Sequence, residues 1–77
     1  MLKQYGQSYY VVWATYDGGV EKLAVAVYCN KPRADAVVDA LNHGRDVRTR
    51  RGMLRPEEGA IYTAEHEMSP KRDLHTL

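Results

Sequence analysis

Phenylalanine is absent from this 77-residue chain, cysteine occurs once, proline three times and tryptophan once. A single cysteine, Cys29, rules out an internal disulfide and fits a reducing, cytoplasmic compartment. Late in an apolar run, such a cysteine is expected as a small buried hydrophobe rather than a nucleophile. Serine occurs only as Ser8 and Ser69, and His43, His66 and His75 have no neighbours resembling a catalytic triad. Gly18-Gly19 is explained by a turn, so no glycine-rich phosphate loop remains. No apolar run approaches the length that spans a bilayer. The opening Met1-Leu2-Lys3-Gln4-Tyr5-Gly6 lacks the apolar core of a secretory signal. These shortages point away from an enzyme, a cofactor, a metal and a membrane.

What is present is concentrated in Tyr9 to Cys29. Tyr9-Tyr10-Val11-Val12-Trp13-Ala14-Thr15-Tyr16 and Val20-Glu21-Lys22-Leu23-Ala24-Val25-Ala26-Val27-Tyr28 flank Asp17-Gly18-Gly19. β-Branched and aromatic runs split by Asp-Gly-Gly predict a β-hairpin. A two-residue turn pairs Ala14 with Leu23, Val12 with Val25 and Tyr10 with Val27. One face then carries Tyr10, Val12, Leu23, Val25 and Val27. The other carries Tyr9, Val11, Trp13, Ala24, Ala26 and Tyr28. A loop of odd length would break this parity. Neither face has the polar alternation of a solvated sheet.

Met1 to Ser8 is polar and expected to fray. After the hairpin, Asn30-Lys31-Pro32 predicts a helix start, with asparagine as cap and proline in the first turn. The helix is expected over Pro32 to His43, with Ala34, Val37, Val38 and Leu41 on one face and Gly44 as the stop. Arg45 to Gly59 is expected as a long loop. Ala60 to Met68 alternates as a third strand, with Tyr62, Ala64 and His66 inward and Ile61 and Thr63 outward. A flexible polar tail is expected over 69–77. The whole is one α+β domain of ββαβ type: a three-stranded antiparallel sheet of order 2-1-3, with a right-handed crossover and one helix on one face. Nothing in the chain is left to cover the other face.

That uncovered face is the first candidate site. Tyr9, Val11, Trp13, Ala24, Ala26 and Tyr28 would form a contiguous apolar patch, and such patches mark interfaces. A homodimer is the simplest use of it. The second candidate is Arg45, Arg48, Arg50, Arg51 and Arg55. Net charge is +1, yet Arg45 to Arg55 carries +4 and the remainder −3. Either this is a solvated mobile loop, or it is an arm for anions or a partner, since guanidinium pairs with phosphate and carboxylate. No aromatic in the loop is placed to stack a base, and Glu57 and Glu58 would lower its potential. Asp35 and Asp39 are expected as solvated charges. In Glu65-His66-Glu67 adjacent residues point to opposite faces, so the three cannot converge on a metal.

The hairpin, Asn30-Lys31-Pro32-x-Ala34-Asp35, Ala40-Leu41-Asn42 and the Tyr62-x-Ala64-Glu65 strand resemble small ββαβ accessory proteins of bacteriophages. Some of that kind inhibit host or defence proteins, anti-CRISPR proteins included. The resemblance implies a non-enzymatic inhibitor that binds a host or defence protein in the host cytoplasm. It implies no site residues. The residues alone keep two other uses open: nucleic-acid binding through the arginine loop, and a structural subunit of a homo-oligomer.

Overall fold

The computed structural model describes residues 8–68. The tail expected at 69–77 and all but the last residue of the segment expected to fray lie outside them. Strand β1 is Ser8–Tyr16, β2 is Glu21–Tyr28, helix α1 is Lys31–Asn42, β3 is Val47–Thr49, β4 is Gly52–Leu54 and β5 is Ile61–Met68. The main sheet has the order β2-β1-β5, with β1 antiparallel to both neighbours. The expected three-stranded sheet with one helix is therefore present, and β1 is its centre.

The helix forms where its signals stand. Asn30 accepts from the Arg33 N–H at 3.1 Å, and Pro32 lies in the first turn. Gly44 takes φ 78° just past the last turn, the left-handed state that costs glycine least. Ala34, Val37 and Leu41 are buried against Val12, Ala14 and Tyr62, with Val38 partly buried beside them. Tyr10, Val12, Ala14 and Tyr16 of β1 and Tyr62 and Ala64 of β5 thus face the helix, as the alternation predicted.

The register of β2 corrects the sequence reading. The turn keeps the expected pairs near it, Ala14 with Leu23 and Trp13 with Ala24. It does so through a short 3-10 turn, Asp17–Gly19, in which both glycines have positive φ. An irregularity between Val12 and Trp13 then shifts the ladder by one: Val12 pairs with Ala26, Val11 with Val27 and Tyr10 with Tyr28. Val25 is the extra residue of this bulge, and every side chain beyond it changes face. Ala26 and Tyr28, expected on the uncovered face, pack against the core instead. Val27, expected inward, points out and is 58% exposed. Leu23 keeps its parity but lies beyond the helix, 56% exposed. Cys29 also departs from expectation: it follows the last residue of β2 and is exposed.

The segment Arg45 to Gly59 is not one loop. It contains a second hairpin, with Val47 opposite Leu54 and Thr49 opposite Gly52. Val47 and Leu54 are partly buried against the core, which fixes the hairpin in the helix layer. At its tip the Thr49 hydroxyl donates to the Gly52 carbonyl at 2.7 Å and accepts the Arg51 N–H at 3.2 Å. Gly52, at φ 123°, supplies the positive φ that closes the turn.

The position of the helix over the sheet separates two leucines. Leu41→Ala removes a fully enclosed side chain and is expected to lower the unfolding free energy by about 2–5 kcal/mol in urea titration. Leu23→Ala should cost less than about 0.5 kcal/mol, as exposed substitutions do. Equal losses would place Leu23 in the core.

Candidate functional site

The face of the sheet away from the helix carries Tyr9, Val11, Trp13 and Thr15 from β1. Beside them stand Lys22, Ala24 and Val27 from β2, and Ile61, Thr63, Glu65 and Glu67 from β5. Of the predicted patch, Tyr9, Val11, Trp13 and Ala24 are together here, while Ala26 and Tyr28 are on the other side. Val27, expected inward, and Ile61, expected outward but left out of the patch, belong to this face; they are its exposed large apolar residues, at 58% and 62%.

The face is also less bare than the sequence implied. Lys22 reaches diagonally across β1 to Glu65, Nζ to Oε2 at 3.0 Å. On the way its ammonium lies 4.6 Å from the centre of the Trp13 ring. A cation over an indole face and an ion pair at its end form a strap across the middle of the patch. Val11, directly paired with Glu65, is buried beneath these long side chains. The Trp13 indole N–H is buried and has no hydrogen-bond partner among the described residues. Such a donor costs about 1–3 kcal/mol, so the ring sits here for its packing. The apolar surface that remains is split into a Val27 part on β2 and an Ile61 part on β5.

The alternation of β5 holds at Glu65-His66-Glu67. Both glutamates lie on the strapped face, while His66 lies on the other, its ring 4.9 Å from that of Tyr10 and its Nε2 bonded to the Ser8 hydroxyl. Asp35 pairs with Lys31 at 2.7 Å, which raises the lysine pKa. Asp39 pairs with His43 at 3.3 Å.

The five arginines divide. Arg45 lies 3.8 Å from Asp39, and Arg55 lies 3.9 Å from Asp46. Arg48, Arg50 and Arg51 stand on β3 and at the hairpin tip, with no carboxylate within 4.0 Å among the described residues. Arg33, on the first turn of α1, joins them, its guanidinium 5.8 Å from the Tyr28 ring centre. Between this set and residues 24–29, the end of β2 and Cys29 after it, runs an open groove of about 960 Å³. Glu57 does not offset these charges by contact. Its carboxylate accepts the Tyr16 hydroxyl at 2.8 Å and raises that phenol's pKa.

Sequence reasoning could have found Arg33, four positions before Val37 on the helix; it could not have placed Arg33 beside a hairpin it read as a loop. No protein-family model, curated protein or solved structure matches this chain.

The strap is testable by fluorescence. Lys22→Ala should move Trp13 emission to longer wavelength and increase its quenching by acrylamide. Stability should fall by about 1 kcal/mol or less, as for exposed ion pairs and cation–π contacts. Unchanged emission and quenching would mean that Lys22 does not shield the ring.

Proposed function

We propose that this chain is a non-enzymatic protein-interaction module that binds and inhibits another protein in the cytoplasm. The partner is a host or defence protein of the kind the phage resemblance implies. One observation carries the reading. The arginine segment is a folded hairpin held to the core by Val47 and Leu54, so its tip charges are presented rigidly. A preorganised basic tip loses less freedom on binding than a mobile arm. Among the described residues no helix is long and apolar enough to cross a membrane.

A second reading has its own observation. A two-stranded ribbon can enter the major groove of DNA, and this one carries Arg48, Arg50 and Arg51 near its turn. Its strands have three residues each, and neither carries an aromatic that could stack on a base.

The test is capture from lysate with and without nuclease, using the chain and its Arg48→Glu, Arg50→Glu, Arg51→Glu variant. The proposed reading expects capture that survives nuclease and is weakened by the reversal, and no micromolar binding of random duplex DNA at physiological salt. DNA binding at that salt, abolished by the reversal, would favour the second reading. The slope of log affinity against log salt would then be about −0.9 per phosphate contacted.

A further inference from the structure

We propose that the outer edge of β2 takes an extended acidic segment of the partner as an added strand, its carboxylates held by Arg33, Arg48, Arg50 and Arg51. This rests on the reading of the chain as a protein-interaction module, and it names where and by what chemistry the partner is held.

In the order β2-β1-β5 both outer strands have a side that no strand pairs. Every second residue of such a strand turns its N–H and C=O outward, a template for another chain. On β5 the template is blocked at Tyr62. Asn42 donates from Nδ2 to the Tyr62 carbonyl at 2.9 Å and accepts the Tyr62 N–H at 2.8 Å, so one side chain occupies both backbone groups. On β2 no described strand or side-chain bond fills the edge, and residues 24–29 line the groove.

The groove's chemistry selects the occupant. One wall is a strand edge that needs donors and acceptors in alternation. A peptide backbone supplies both; a phosphodiester backbone supplies only acceptors and leaves the carbonyls unmet. The other wall is cationic, and its four arginines have no acidic partner among the described residues. Guanidinium forks pair with carboxylates as with phosphates, so with a peptide backbone on the first wall the anions are carboxylates. Arg33 and the hairpin belong to the helix layer, so only side chains on that side of an added strand meet them. Those on the other side would extend the Val27 part of the opposite face. The matching segment alternates acidic residues with apolar or β-branched ones.

The bulge at Val25 sets the limit. It interrupts the edge, so regular pairing is confined to residues 26–29, and the isolated segment binds weakly. A second copy is the poorer occupant. Antiparallel pairing of β2 with its twin would put both helix layers on the same side of the joined sheet, bringing two arginine sets together.

The probe is an end-blocked synthetic peptide of about eight residues, enough to span 24–29 at ~3.3 Å per residue, alternating glutamate with threonine or valine. Amide and arginine Nε–H resonances of the full chain report its position. The expected result is shifts at residues 26–29 and at Arg48, Arg50 and Arg51. N-methylation of alternate peptide bonds in the probe should weaken binding by roughly tenfold, and so should Arg50→Glu with Arg51→Glu at low salt. Both changes leave the core intact. Equal binding by a peptide with the same residues sorted into two blocks would overturn strand addition in favour of charge alone. Concentration-dependent shifts at 26–29 without peptide would overturn it in favour of a second copy, and tighter binding of a short DNA duplex at the same amides in favour of nucleic acid. If the peptide leaves 26–29 untouched while nuclease-resistant capture persists, strand addition fails and the module reading stands. If capture fails as well, both fall.

Discussion

The amide of Asn42 holds both outward backbone groups of Tyr62, and it thereby sets the helix over one side of a sheet too wide for it. Three strands present roughly 14 Å of width, while a helix with its side chains covers about 10–12 Å. With its last turn tied to β5, α1 packs most closely on β5 and β1 and least on β2. Val12 and Ala14 of β1 are completely buried beneath it, and Ala34 allows the close approach. Leu23, at the far corner of β2, is left outside. The hairpin of β3 and β4 occupies the helix layer without reaching β2 as a third strand-covering element, and the groove is the space between them.

The three strands of the main sheet, the helix with both of its caps, the sheet order and the faces of β1 and β5 were legible because each rests on a local signal. Asn30, Pro32 and Gly44 mark the helix ends, and Ala34, Val37 and Leu41 mark its buried side. The face of β2 beyond Val25 was not legible. Register is written in a sequence only when one face is apolar and the other polar. From Leu23 to Tyr28 both faces are apolar, so a one-residue shift leaves the pattern equally plausible. What decides it is packing: the bulge brings Ala26 and Tyr28 onto the core and turns Val27 out. The second hairpin was missed for another reason. Val47-Arg48-Thr49 and Gly52-Met53-Leu54 are too short to show a period, and their turn is Arg50-Arg51 rather than a glycine pair. Its signals were Gly52 and the two anchors, Val47 and Leu54.

The two candidate surfaces were thus revised in opposite directions. The apolar patch lost Ala26 and Tyr28 to the core, and the Lys22–Glu65 strap divides what is left. A partner entering the centre of that face must displace an ammonium from an indole and separate an ion pair before it reaches Trp13. The arginine set lost Arg45 and Arg55 to Asp39 and Asp46 but gained Arg33 and a fixed shape. Of the two, the arginine groove needs less rearrangement to be occupied.

Clustering four guanidinium groups along one groove sets like charges against each other, and nothing in the packing requires it. The aspartates of the helix turn to Lys31, His43 and Arg45, and Glu57 turns to Tyr16. Among the described residues Asp46 turns to Arg55, and Glu65 and Glu67 stand on the opposite face of the sheet. Repulsion among exposed cations is small at physiological salt, because charges are screened over about 8 Å. It becomes a source of attraction once an anionic chain enters and excludes water between them. The charge arrangement and the unplugged strand edge therefore favour the same occupant, from independent causes. A carboxylate-bearing strand relieves the first and completes the second.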